Sequence, residues 1–183
     1  MILNDASITR MLQNGTIVGA ELNQVNPASL NVRLGYSFLR PRKPDVIVLG
    51  EDVQYETEYL YGDMTTSIMP GEFLLATTCE AVNLSSCVAA FVQGRSSIGR
   101  IGLMVQNAGF VDPGFHGHIT LELKNDSPNP IRLVPGYPVA QLVFFDTFPV
   151  MEPYHGKYNG QKEATGSRMW QDKKDGTVKG GNQ

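Results

Sequence analysis

Between residues 29 and 145 the apolar residues fall in short runs, each closed by a turn former, and that pattern constrains the fold more than any other feature of the chain. The runs lie at 46–49, 73–76, 88–92, 103–105, 119–123, 131–134 and 139–145. Pro70-Gly71, Pro113-Gly114 and Pro135-Gly136 mark turns between them, since Pro presets φ and Gly accepts the positive φ that a tight turn needs. Many short strands with such punctuation predict an all-β barrel or sandwich. A doubly wound fold is disfavoured, because the helical period of βαβ units is missing after Gly15. One short helix is expected ahead of the strands: Asn4 or Asp5 caps it, Ile8, Met11 and Leu12 share one face, and Gly15 stops it.

A length of 183 residues fits one domain, expected over residues 1–170. Residues 171–183 turn polar and rich in Gly and Lys, which predicts a disordered tail. With 15 Lys and Arg against 18 Asp and Glu, the chain lacks the basic excess that nucleic acid or an anionic membrane would select. The N-terminus carries no signal pattern, and no apolar run approaches the roughly 18 residues that span a bilayer, so a cytoplasmic protein is expected. Cys79 and Cys87 form no CxxC pair and no disulfide framework, and are expected to be buried structural thiols. Asn14, Asn83 and Asn125 begin glycosylation acceptor patterns that would carry information only in a secreted protein.

Several stretches carry candidate chemistry. Gly94-Arg95-Ser96-Ser97-Ile98-Gly99-Arg100 has the glycine spacing of a phosphate-binding loop, but Arg100-Ile101 replaces the Lys and Ser/Thr of a Walker motif. Its two guanidiniums and two hydroxyls suit phosphate oxygens; a polar turn with surface arginines is the equal alternative. Gln106-Asn107-Ala108-Gly109-Phe110-Val111-Asp112-Pro113-Gly114-Phe115 combines small residues, two aromatics and a carboxylate, although Asp112-Pro113-Gly114 is first of all a turn. Ile119-Thr120-Leu121-Glu122-Leu123-Lys124 alternates strictly, which puts Glu122 on the face opposite Ile119, Leu121 and Leu123. On a solvated face Glu122 is an ordinary carboxylate; in a dry pocket its pKa rises towards neutrality and it suits proton transfer. His116, His118 and His155 have no paired cysteines at ligand spacing, so a His/Cys/Cys zinc site cannot be assembled, and His116 and His118 read as solvated turn residues.

Taken together and in order, the stretches Pro27-Ala28-Ser29-Leu30-Asn31-Val32-Arg33-Leu34-Gly35, 94–100, 107–117, 119–125 and 136–144 resemble the dCTP deaminase and dUTPase superfamily. The resemblance covers nearly the whole chain and implies a distorted β-barrel that assembles as a homotrimer with sites at subunit interfaces. Glu122 points to the deaminase branch, where an I-x-L-E strand carries the catalytic Glu and plain dUTPases usually have an apolar residue. The Asn107-Ala108-Gly109 stretch resembles the loop of dUTPases and of dUMP-forming deaminases, without the longer His-containing loop of enzymes that stop at dUTP. Deamination of dCTP followed by loss of pyrophosphate is therefore the implied activity. The alternatives are a deaminase that stops at dUTP, a dUTP diphosphatase alone, and a nucleotide-sensing protein without turnover.

By that resemblance Glu122 is the general base for water attack at C4 of cytosine, with no metal needed for the step. Ser96 and Arg100 of a neighbouring subunit position and polarise the water and Glu122. Asn107, Ala108, Gly109 and Val111 line the base, with the Ala108 backbone reading its edge. Phe110 packs near the sugar and excludes a 2'-hydroxyl, and Asp112 holds the 3'-OH and orients water towards the α-phosphorus. Arg95, Ser97 and Gln141 belong to the phosphate and barrel-mouth constellation, while Tyr154, Lys157 and Gln161 match the closing C-terminal segment that grips the triphosphate. The resemblance further implies Mg²⁺, held mainly by substrate phosphates and water, and dTTP as an inhibitor. Two departures stand out: family members usually carry Asp at the position of Asn31, removing a charge expected to pair with Arg33 or order the pocket mouth, and residues 51–67, rich in Tyr and Glu, match nothing.

Overall fold

Asn4 starts the first element in the computed structural model, which describes residues 1–42, 46–105 and 109–172. Its side chain accepts the Ser7 amide at 3.1 Å and so caps helix α1 (Asp5–Gln13), which buries Ile8 and Met11. Gly15 follows with φ of 79°, past the helix end as its sequence position predicts.

The chain then forms β1 (Ile17–Val18), β2 (Val25–Asn26), β3 (Ser29–Pro41), β4 (Tyr55–Tyr59), β5 (Thr66–Ile68) and β6 (Phe73–Asn83). After these come β7 (Val88–Gly94), the single-turn helix α2 (Ser96–Gly99), β8 (Leu103–Val105), β9 (Phe110–Val111), β10 (His116–Asn125), β11 (Ile131–Leu133) and β12 (Pro138–Asp146). The main sheet runs β8-β10-β6-β3-β12-β7-β9, with β1 added on β6, β2 and β4 on β3, and a separate β11-β5 pair. Every pairing is antiparallel.

The curl of this sheet originates in β3. Residues Leu30 to Arg33 pair with β12, whereas Leu34, Phe38 and Leu39 pair with β6, and the register shifts between Leu34 and Phe38. Gly35 sits in that shift, and a Cβ there would lie 2.4 Å from Thr77 Cγ2, so only glycine allows the two backbones to approach. Leu30, Leu34, Phe38, Leu74, Leu121, Leu123, Leu142 and Phe144 point inward and are fully buried. Each stabilises the fold by about 1.5–3 kcal/mol through removal from water. The predicted all-β architecture with one short N-terminal helix is the observed one.

A buried polar cluster ties β3 to β6. Glu80, 1 % exposed, accepts the Arg33 guanidinium at 2.7 Å, the Arg33 amide at 2.8 Å and the Gln24 side chain at 2.8 Å. Arg33 thus has its carboxylate partner without an Asp at position 31. Asn31 instead lies 3.5 Å from Asn26, amide to carbonyl. The expected loss of a pairing charge at Asn31 is corrected by Glu80, which the sequence pattern of β6 hid as an ordinary alternating residue.

Other expectations also change. The run at 46–49 is not a strand: the β3-β4 ladder ends at the Pro41 and Tyr55 pair, so these residues lie beyond its last rung, and no strand among the described residues pairs with them. They are exposed, Leu49 at 83 %. Cys79 and Cys87 are both free and only half-buried rather than sealed in the core. The Cys79 thiol reaches the Leu34 carbonyl at 3.1 Å, and burial pushes its pKa up. Asn125 is fully buried and donates to the Ile68 and Asn129 carbonyls, so its acceptor pattern is a turn-forming motif. Gln171 and Asp172, expected in the tail, instead complete a short 3-10 turn and an ion pair with Lys157; the remainder of the expected tail, 173–183, lies outside the described residues. No helix among the described residues is long and apolar enough to cross a membrane.

Candidate active site

The strict alternation of β10 sends Ile119, Leu121 and Leu123 into the core and turns Thr120 and Glu122 towards a cavity of about 550 Å³. A cavity of that size suits a small organic ligand, for which roughly 300–1,000 Å³ is usual. The 109–112 stretch forms one wall and the C-terminal residues Tyr154, Tyr158, Gln161 and 165–167 another. Phe73, Leu75, Val92 and Val105 give the floor around Glu122 its apolar character.

Glu122 is half-buried, and desolvation alone raises its pKa above the usual carboxylate value. No cation among the described residues pairs with it. A carboxylate desolvated in this way is a better base than one in water, because its proton affinity is increased.

Asp112 lies on the same cavity, at a turn in which the Phe115 amide donates to the Asp112 carbonyl at 3.1 Å. Gly114 takes φ of 91° there, and a Cβ on it would stand 2.5 Å from Pro153 Cβ, so the turn and the C-terminal segment are in direct contact. Gly109 packs as closely: its carbonyl accepts the Val92 amide at 2.8 Å, and a Cβ would meet Val92 Cβ at 2.8 Å. Phe110 is 52 % exposed and packs on Phe91 in a tilted arrangement with ring centroids 5.0 Å apart, while Val111 is buried. Gln161 joins the cavity to β10: its side chain accepts Thr120 Oγ1 at 3.2 Å and its carbonyl accepts the His118 amide at 2.9 Å.

One chain therefore brings together Glu122, Asp112, Gly109, Phe110, Val111, Tyr154 and Gln161. It does not bring Ser96, Ser97 or Arg100 to the cavity; the two serines are exposed on α2 and Arg100 is exposed just after it. Arg95 is spent on the Pro138 carbonyl at 2.8 Å, and Gln141 accepts Ser29 Oγ at 3.2 Å on β12, away from Glu122. Lys157 forms an ion pair with Asp172, which raises its pKa, and it does not line the cavity wall. Asn107 and Ala108 lie outside the described residues. Sequence reasoning missed Tyr55, Thr120, Tyr158 and Thr165 as lining residues. Thr120 was recoverable, since it shares a strand face with Glu122; Tyr55 carried no local signal.

His118 sets Nδ1 2.9 Å from the Thr78 carbonyl, so this ring is engaged in a hydrogen bond rather than solvated in a turn, whereas His116 is exposed. Among the described residues no three His, Cys, Asp or Glu side chains converge as a metal cage. Asp112 and Glu122 are the two carboxylates that line the cavity.

With this geometry in hand, comparison with known sequences is decisive: a family described as dCTP deaminase-like matches residues 2–147. The chain belongs to the dCTP deaminase-like family. Glu122, Asp112 and the 94–100 loop all fall inside the family match. A Persephonella marina protein named "dCTP deaminase, dUMP-forming" is 40 % identical over 94 % of this chain and 99 % of its own length. The protein of the same name from Aquifex aeolicus is 44 % identical over 94 % of this chain and 97 % of its own. Among solved structures, 2'-deoxycytidine 5'-triphosphate deaminase from Agrobacterium tumefaciens superposes with a TM-score of 0.64 at 22 % identity, covering 78 % of this chain and 48 % of that one. That likeness shows that the family fold extends across most of the chain.

Proposed function

We propose that this chain deaminates dCTP at C4 and, in the same site, releases pyrophosphate to give dUMP, a precursor for thymidylate synthesis. The observation that carries the reading is Glu122, a half-buried carboxylate whose pKa is raised by desolvation on an apolar cavity floor, inside the family match. The names of the relatives at 40 % and 44 % identity support the same substrate and product.

In the first step Glu122 takes a proton from water as the water oxygen bonds to C4 of cytosine. Glu122 delivers that proton to N3, then takes the proton of the new C4 hydroxyl and passes it to the 4-amino group, so that the C4–N bond breaks and ammonia leaves as the uracil carbonyl forms. In the second step Asp112 orients a water towards the α-phosphorus; the new P–O bond forms as the bond to the β-phosphate oxygen breaks, and pyrophosphate departs. Phe110 flanks the sugar and selects against a 2'-hydroxyl. Tyr154, Gln161 and, once released from Asp172, Lys157 engage the phosphates. Mg²⁺ bound to the phosphates and water would neutralise their charge, and dTTP, a triphosphate with a 4-oxo pyrimidine like the dUTP intermediate, would inhibit by competing for the same site.

Because Ser96 and Arg100 sit apart from the Glu122 of their own chain, we assign them to the site of a neighbouring subunit in a homotrimer. Exposed Phe91 and Phe110 on the β7-β9 edge offer apolar area for that assembly. Complementation tests the arrangement. Glu122→Gln and Arg100→Ala are expected to be inactive separately. When the two are unfolded and reassembled in equal amounts, about a quarter of the interfaces of a random trimer combine two intact halves, so about a quarter of wild-type activity should return. Reassembled trimers that stay inactive, or a monomer by light scattering, would overturn the shared site.

A further inference from the structure

Residues 51–67, which the sequence pattern left unassigned, lie inside the family match and carry the seat of the C-terminal segment. Tyr55, the first residue of β4, packs on Leu39, Leu75 and Ala164 in a small apolar cluster separate from the main core. Its hydroxyl accepts the Ser167 amide at 3.1 Å. Its ring lies against Gly166, where a Cβ would stand 2.5 Å from Tyr55 Cε2 and 2.8 Å from Cδ2. On its N-terminal side the segment is held by the Ala164 amide on Ser37 Oγ at 3.2 Å and by Tyr59 Oη donating to Glu163 at 2.6 Å. The Thr165 amide donates to Thr120 Oγ1 at 3.1 Å, and Thr120 is two residues from Glu122 on the same face of β10. Tyr55, Thr165, Gly166, Ser167 and Glu122 line one cavity. The strand that carries Tyr55 is itself anchored, since Arg40 of β3 pairs with Glu58 of β4 and with Glu72 at 2.8 Å.

We propose that Tyr55 is a positioning residue for the reaction: its ring and hydroxyl seat residues 164–167 and thereby fix the cavity wall that faces Glu122. The inference rests on the dCTP reading for its catalytic consequence, but the seating is a property of the chain itself. Tyr55 acts through the wall, while Glu122 and Asp112 stand on other elements. Misplacing the wall therefore weakens binding of the nucleotide and leaves the chemical step nearly intact.

The test pairs Gly166→Ala with a Tyr55→Leu background in the full chain. Alone, Gly166→Ala pushes a methyl into the ring, and we expect KM for dCTP to rise about tenfold with kcat within about twofold. Trypsin cleavage at Lys162 and Arg168 should accelerate by a similar factor, because the segment must leave its seat to be cut. In Tyr55→Leu, which removes the ring face, adding Gly166→Ala should change either quantity by less than about twofold. Tyr55→Phe keeps the ring and loses the acceptor for Ser167, and should raise KM by about threefold. Equal effects of Gly166→Ala in both backgrounds, or wild-type cleavage and KM in Gly166→Ala, would overturn the proposal. A fall in melting temperature large enough to account for the faster cleavage would reduce Tyr55 to a structural role and also overturn it. If wild-type protein leaves dCTP intact, the dCTP reading fails, and the cleavage rates still decide whether Tyr55 seats the segment.

Discussion

Glu122→Gln is expected to reduce ammonia release from dCTP by about 10²- to 10⁴-fold, the usual contribution of a positioned general base, while dCTP still binds. The amide keeps the shape of the side chain and cannot take a proton from water. Equilibrium binding of dCTP to the variant and ammonia release measured in parallel separate the two effects. The pH dependence follows from the same residue: its raised pKa moves the acid limb of kcat/KM, which reports the free enzyme, above that of an exposed carboxylate, since activity requires the ionised form. The sign for stability is the opposite. Desolvation makes the ionised form costly in the folded chain, so Glu122 opposes folding at neutral pH, and Glu122→Gln should melt no lower than wild type there. The contrast should fade as pH falls below the unfolded carboxylate value, where Glu122 is protonated in both states. Retained deamination in this variant would remove Glu122 from the mechanism.

Glu80→Gln is expected to destabilise the fold by about 3 kcal/mol, near the lower end of the range for breaking a buried pair because Arg33 is 27 % exposed. Gln at this site keeps a carbonyl for one donor, but three groups converge on Glu80 and the Arg33 charge loses its counter-ion. Against a total stability of about 5–15 kcal/mol this is a large fraction, readable as a shift in the urea midpoint at unchanged slope. Asn31→Asp should shift the midpoint far less, since Arg33 is already paired. A large gain from Asn31→Asp with no loss from Glu80→Gln would show that the charge of Arg33 is balanced elsewhere.

What the sequence revealed and what it hid have physical reasons. Local patterns were legible: the cap at Asn4, the Pro-Gly turns, and the alternation that separates Glu122 from Leu121 and Leu123 are all set within a few residues. The run at 46–49 shows the limit of that reading, because an apolar run becomes a strand only where a neighbour supplies a ladder. Contacts between distant segments left no trace in spacing: Tyr55 meets Gly166 and Ser167 across more than a hundred residues, and Glu80 meets Arg33 and Gln24 across two strands. The candidate residues on α2 were legible as a polar loop, yet their distance from Glu122 in one chain was not, since neither sequence nor spacing tells which subunit a residue serves.

The most direct measurement is a time course of the purified protein with dCTP and Mg²⁺, resolved by ion exchange into dCTP, dUTP, dUMP and dCMP. The account predicts dUMP appearing directly, with ammonia and pyrophosphate in equal amounts and no accumulation of dUTP. Accumulated dUTP would leave deamination and remove the second step. Intact dCTP would contradict the central claim, assigning the site to dUTP hydrolysis if added dUTP becomes dUMP and to nucleotide binding alone if neither substrate changes.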